Sequence, residues 1–260
     1  MQQFKVGLEI HGYIDIPQKL FCNCPIDHNA PANTTICPVC TGQPGAKPMA
    51  TNVQAVQKAI HIAQVLGCTV NKQLIFQRKH YSWPDSPNNY QRTISGTYAF
   101  PVGQQGMFEH IRITQCHLEE DPARWDPNTG QVDYNRCGYP LIEIVTEPDF
   151  TSLEQIRVWL EDLVTALSYI KAINKQAGIK CDVNVSIAPD YTRVEVKNVH
   201  SFSGILQAVQ YEVNRLQQEG IETQHTRMWS DEQQKTIFMR SKEDAADSIF
   251  ISDPDLPTIH

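Results

Sequence analysis

Four short stretches of this chain alternate apolar and polar residues with a period of two, and their polar sets hold the groups that can do chemistry. Glu9 and His11 oppose Val6, Leu8 and Ile10, while Glu143 and Glu147 oppose Ile142 and Ile144. Asp182, Asn184 and Ser186 oppose Cys181, Val183, Val185 and Ile187, and Arg193, Glu195 and Lys197 oppose Val194 and Val196. A fifth stretch, Ile111–Asp121, ends in His117, Leu118, Glu119, Glu120 and Asp121. Successive strand side chains point to opposite faces, so each polar set lies on one surface. If the five strands share a sheet, that surface concentrates carboxylates. Packed like charges repel unless a cation lies between them. Oxygen ligands with one or two imidazoles suit a hard ion such as Mg²⁺. A solvated face of an antiparallel sheet also alternates in this way, and the pattern alone leaves both readings open.

A second cluster has its own chemistry. Cys22, Cys24, Cys37 and Cys40 form C-x-C, twelve residues, then C-x-x-C. That spacing lets two loops converge on one tetrahedral ion, and four thiolates with no open position make a structural Zn²⁺ site. His28 lies inside the loop as a possible substitute ligand, and a set of plain surface thiols is the alternative. Cys68, Cys116, Cys137 and Cys181 sit in apolar contexts and read as small core residues.

The third feature is F-Q-R-K-H-Y-S-W-P-D-S-P-N-N-Y, Phe76–Tyr90, whose Arg78, Lys79 and His80 are the densest positive cluster. By pattern the segment reads first as a solvated loop, and with Tyr81, Trp83 and Tyr90 around the cluster it also fits a phosphate or nucleic-acid contact. Its prolines argue against both helix and strand.

Composition bounds the rest. At 260 residues, 41% hydrophobic and 20% charged, the chain is an ordinary globular protein. A net charge of −7 argues against a dedicated nucleic-acid gripper. No apolar run approaches the roughly 20 residues of a membrane span, and the start carries no signal-peptide pattern. A cytoplasmic protein with no membrane association is expected.

The positioning elements follow from periodicity. Helices are expected over Thr51–Leu66, from a Ser152–Gln155 capping box to Ile170, and over Phe202–Glu219. Pro101–Asp121 reads as a hairpin turning near Gly103–Gly106, Glu222–Trp229 and Lys235–Met239 as strands, and Ser241 as the cap of a short final helix. Strands joined by hairpins predict an α+β fold, a large antiparallel sheet backed by helices. One domain over residues 1–260 is expected, with a zinc-knuckle loop region at 17–48.

V-G-L-E-I-H (Val6–His11), H-L-E-E-D (His117–Asp121) and P-L-I-E-I-V-T-E-P-D (Pro140–Asp149) resemble the B and E subunits of the tRNA-dependent amidotransferases. The likeness continues through Arg78–Gln91, Lys180–Ile187, Arg193–Asn198, Met239–Glu243 and Asp253–Pro257. It implies a cradle domain related in architecture to glutamine synthetase and guanidino kinases. Such a domain phosphorylates the side-chain carboxylate of Glu on tRNA(Gln) or Asp on tRNA(Asn) with ATP and Mg²⁺. Ammonia from an amidase partner then displaces the phosphate, and a small third subunit completes the assembly. Carried over by motif, His11, Glu119 and Glu143 resemble ligands of the main Mg²⁺, with Glu120 an alternative to Glu119. Glu9, Asp182, Asn184 and Glu195 resemble a second metal and phosphate site. Arg193, Lys197 and Ser186 are candidates for ATP phosphate contacts, the alternative for the two cations being salt bridges within the sheet. The cysteine knuckle resembles that of members that keep a zinc.

Two departures matter. Asn174–Lys180 reads N-K-Q-A-G-I-K where the family carries an acidic-Gly-Ser stretch and an Arg. The family also continues beyond D-P-D-L-P into helical and tail domains that bind tRNA, whereas this chain stops at His260. The acceptor end of an aminoacyl-tRNA is therefore expected to be weakly held by this chain alone. The alternatives are an amidating kinase for a small-molecule or protein carboxylate, and a non-catalytic zinc-containing binding module.

Overall fold

The computed structural model describes residues 3–174, 177–220, 223–241 and 248–260. Fourteen strands and three helices are found among them. The strands are β1 (Phe4–Tyr13), β2 (Thr69–Val70), β3 (Gln77–His80), β4 (Tyr90–Thr93), β5 (Gly103–Phe108), β6 (Ile111–Glu120) and β7 (Arg124–Trp125). They continue with β8 (Val132–Asp133), β9 (Pro140–Thr146), β10 (Ile179–Ile187), β11 (Val194–Val199), β12 (His225–Ser230), β13 (Lys235–Ser241) and β14 (Ile249–Ser252). The helices are α1 (Val53–Val65), α2 (Leu153–Tyr169) and α3 (Phe202–Glu219).

Twelve strands form one sheet whose main path is β13-β12-β11-β10-β1-β9-β6-β4-β3-β14, with β5 on β6 and β2 on β5. The sheet is mixed rather than wholly antiparallel, because β11 and β12 run parallel. Parallel neighbours need a long crossover, and α3 supplies it. The fold is α+β, and the helices gather on the apolar face. There α3 packs on β10 and β11, α2 on α3, and α1 on β5 and β6.

The helices start where their caps dictate. Asn52 accepts from Gln54 N and Ala55 N, so α1 begins at Val53, which is 66% exposed rather than part of the buried stripe. Ser152 and Ser201 cap α2 and α3. Leu160, Leu163, Val183, Val185, Val194, Val196, Ile205 and Val209 fill the layer between helices and sheet. Trp159 closes one end, its ring edge-on to Phe108 and Phe150 and its indole N–H donating to Phe108 O at 2.9 Å.

Several expectations are corrected. Arg78, Lys79 and His80 lie in a strand, since β3 and β4 pair around the proline-rich 81–89 loop, and only that loop is irregular. The β5–β6 hairpin turns at Glu109 and His110, both with left-handed backbone, rather than near Gly103–Gly106. A two-residue hairpin of type I′ needs φ > 0 at both central residues, and the Asn-Gly pair that favours it is absent here, which hid the turn. The expected helix after Ser241 falls on residues 242–247, outside the described residues, as does residue 222, the first of the strand expected over Glu222–Trp229.

Candidate functional site

Register brings the acidic face together. His11 stands opposite Glu143 across β1 and β9, and His117 opposite the same Glu143 across β9 and β6. Opposite residues of an antiparallel pair share a face, so the three form a row. Glu119, two residues beyond His117, lies on that face as well. His11 Nε2 is 3.4 Å from Glu143 Oε2 and 3.7 Å from Glu119 Oε1. His117 Nε2 lies 2.8 Å from Glu143 Oε2. One ligand atom from each of His11, Glu119 and Glu143 fits within 4.8 Å of the others.

The next row carries Glu9 opposite Asp182 across β1 and β10, and the row after it Asn184 opposite Glu195 across β10 and β11. Glu9, Asp182 and Glu195 make a second group with the same spacing. Asn184 Nδ2 donates to Glu9 Oε1 at 2.9 Å, while its Oδ1 is buried with no partner. Thr226 Oγ1 donates to Glu195 Oε2 at 3.0 Å.

Electrostatics separate these carboxyl groups. Burial opposes ionisation of Glu143, but His117 and His11 outweigh it and hold its carboxyl well below the usual range. Burial and the neighbouring Glu143 push Glu119 up, and they push Glu9 up as well, with Asp182 and Glu195 adding to it. Burial disfavours the charged ring of His11, yet Glu143, then Glu119 and Asp182, raise it to about 9. Carboxylates this close cannot all ionise freely, and the buried, unsatisfied Asn184 oxygen adds a further idle acceptor. This donor set, mostly oxygen with imidazole at one end, is one a hard divalent cation can take.

The other sequence-selected residues divide. Glu120 is turned to the opposite face, where it accepts from Arg92 N at 2.9 Å, so the register leaves Glu119 and not Glu120 at the acidic cluster. Arg78 is not open to a substrate: its guanidinium lies 3.1 Å from Asp253 and 2.6 Å from Asp255, over the Tyr90 ring. The tail Asp253–Asp255 is thereby pinned to β3, and Arg92 adds a second contact to Asp253 at 3.1 Å. Lys79, half-buried, is close enough to Glu119 for its charge to draw that carboxyl down. Tyr81 is half-buried in the 81–89 loop, its hydroxyl pushed up by burial and then Asp85. Lys197 Nζ sits 2.9 Å from both Asp182 and Glu195. Ser186 is buried, its hydroxyl 3.5 Å from Lys5 O, and Arg193 is exposed just before β11.

Sequence reasoning gave His117 no role. It is 2% exposed and touches Glu143, and its placement two residues before Glu119 was the available signal. The same period-two rule would have found Lys180, two residues before Asp182 and opposite His11.

The four knuckle sulfurs lie within 4.8 Å of one another, Cys37 and Cys40 at 3.9 Å. Tetrahedral Zn–S bonds of about 2.3 Å place sulfurs roughly 3.8 Å apart, so these residues fit that ion. Cys22 is pushed up chiefly by its hydrogen bond to Cys40, whose own thiol is drawn down to about 5 by the same bond, with Lys19 assisting. His28 stands apart, exposed and edge-on to Tyr13 and Tyr139. Gly42, at φ +64°, lets the loop pass Pro87, where a Cβ would meet Pro87 O at 2.7 Å. The knuckle thus abuts the 81–89 loop.

Residues 4–260 match the family described as GatB/GatE catalytic domain. The chain belongs to that family. A relative from Methanopyrus kandleri, named as the B subunit of an aspartyl/glutamyl-tRNA(Asn/Gln) amidotransferase, is 45% identical over 99% of this chain and 56% of its own length. Relatives of the same name from Methanothermobacter thermautotrophicus and Methanocaldococcus jannaschii are 46% and 45% identical. They are covered over 97% and 99% of this chain and 56% of their own lengths. The chain therefore spans about half the length of these family members. Among the described residues, no helix is long and apolar enough to cross a membrane.

Proposed function

We propose that this domain activates the side-chain carboxylate of Glu on tRNA(Gln) or Asp on tRNA(Asn) by phosphorylation with ATP, for conversion to the amide. One carboxylate oxygen attacks the γ-phosphorus, the bond to the bridging oxygen breaks and ADP leaves. Ammonia then attacks the acyl carbon, the carbon–oxygen bond to phosphate breaks, and the nitrogen gives up a proton. The relatives' names point to this class of reaction.

The observation that carries the reading is the adjacency of two acidic clusters on one sheet face, with Glu9 and His11 of β1 belonging one to each. Phosphoryl transfer needs positioning and charge neutralisation more than covalent chemistry. His11, Glu119 and Glu143 would hold one Mg²⁺, and Glu9, Asp182 and Glu195 with the idle oxygen of Asn184 a second. Bound there, the metal supplies charge neutralisation at the transferring phosphoryl group. His117 orients Glu143 through its 2.8 Å contact, and Asn184 fixes Glu9. The four cysteines would hold a structural Zn²⁺ that braces the loops beside the face. An amidase subunit, with a small third subunit, would supply ammonia.

Glu143→Gln keeps the shape of the side chain and removes its charge. It should lower acceptor-dependent ATP turnover by at least about 100-fold, the counterpart of several kcal/mol of lost charge stabilisation, measured well below the variant's melting temperature with its far-UV circular dichroism unchanged. Wild-type turnover in that variant would overturn the reading.

A further inference from the structure

Cations share the acidic face, and they differ in how tightly they are held. Lys197 is gripped by Asp182 and Glu195, each at 2.9 Å, so its charge is largely spent. Arg136 lies 2.9 Å from Asp121 and also donates to Pro122 O and Ala123 O. Arg78 and Arg92 lie on the other face with Glu120, engaged by the tail at Asp253.

Lys180 is different. It stands opposite His11, so Lys180, His11, Glu143 and His117 form one row across β10, β1, β9 and β6. Its Nζ is 3.6 Å from Asp121 Oδ1, beyond a good hydrogen bond, and 5.7 Å from the centre of the Tyr13 ring. Asp121 has better partners, since Tyr13 Oη donates to its Oδ2 at 2.6 Å and Arg136 lies 2.9 Å from the same oxygen. The Lys180 side chain keeps 33% of its surface exposed. An ammonium has three donors to place, and among the described residues no carboxylate lies within 2.9 Å of it as two do for Lys197. Its place is also central: His11 of the first cluster is its cross-strand neighbour, and Asp182 of the second lies two residues along its own strand. Lys79, by contrast, lies on β3 at the far end of the sheet path from β10, and its charge acts on Glu119.

We propose that Lys180 is the cation that meets the reacting oxyanion, first the side-chain carboxylate of the acceptor and then the phosphoryl group transferred to it. This rests on the reading given under Proposed function. Transferring phosphoryl oxygens spread negative charge, and a cation already poised beside the site needs no reorganisation to meet it. Asp121 and Tyr13 are positioning residues: they hold the amine near the row without neutralising it. Lys180 thus takes the part the sequence pattern assigned to Arg193 and Lys197.

The test compares wild type, Lys180→Ala and Lys180→Arg, using the full chain with Mg²⁺, ATP, aminoacyl-tRNA and ammonium chloride as nitrogen source. Amide formation is followed to give kcat and KM, and each variant is melted. The expected result is a loss in kcat/KM of about 10- to 100-fold for Lys180→Ala, the scale of one hydrogen bond to a charged group. Lys180→Arg should recover most of it, and all three proteins should melt alike. A raised KM for the acceptor marks contact with its carboxylate, and a raised KM for ATP marks contact with the γ-phosphate. Wild-type kinetics in Lys180→Ala would overturn the proposal while leaving the broader reading standing. A loss matched by a lower melting temperature and not recovered by arginine would overturn it too, leaving Lys180 a structural partner of Asp121. If wild type itself makes no amide at the expense of ATP, the reading fails and takes this proposal with it.

Discussion

His11 and Glu143 face each other across β1 and β9, with Nε2 3.4 Å from Oε2, and His117 approaches the same oxygen to 2.8 Å from the other side. One carboxylate therefore lies between two imidazoles, which is why it stays ionised while Glu119 beside it is pushed the other way.

A pH dependence follows. The folded pKa of His11 is raised from 6.5 to about 9, so in the metal-free protein its charged ring stabilises the fold fully below 6.5. That contribution is lost as pH rises through about 9. A metal needs the neutral ring and must displace this proton. Mg²⁺ affinity should then climb with pH up to about 9 and level off above it. Calorimetric titration across pH 6.5 to 10 checks this; an affinity flat over that range would show that His11 is not displaced.

Purified protein should carry one zinc on Cys22, Cys24, Cys37 and Cys40. Structural zinc contributes folding energy directly, so chelation should lower the melting temperature, and Cys40→Ser should do the same with no zinc added. Elemental analysis without zinc, in a preparation never exposed to chelators, would contradict this.

Stability away from the site depends on Glu212. It is fully buried in α3, 2.7 Å from Arg215 and 3.2 Å from Arg227. Glu212→Ala takes the buried carboxylate from both arginines, leaving Arg215 with Glu219 and Arg227 with Thr236, and should cost about 3–5 kcal/mol, as removing one partner of a buried pair does. Denaturant unfolding measures it, and Mg²⁺ affinity of the folded variant should be unchanged.

Much of this was legible beforehand, and the gaps have physical causes. Period-two alternation placed Glu9, His11, Glu143 and Asp182 on one face, and the structure puts their strands side by side. Adjacent residues such as Glu119 and Glu120 needed the register, because only pairing decides which of two neighbours faces in. Arg78 read as a free cation because its partners, Asp253 and Asp255, lie far along the chain. Sequence spacing carries no information about such contacts. Glu212 was hidden for the same reason: a charged residue on a helix reads as exposed until its arginines are found.

The central claim is that the acceptor carboxylate itself receives the phosphoryl group, and isotope transfer tests it directly. The side-chain carboxylate of the tRNA-bound Glu or Asp is labelled with ¹⁸O, and Mg²⁺, ATP and ammonium are added. Activation by phosphorylation breaks the labelled carbon–oxygen bond when ammonia enters. The account predicts ADP as the nucleotide product, with one labelled oxygen in the inorganic phosphate for each amide formed. Label-free phosphate, or AMP as the nucleotide product, would contradict it.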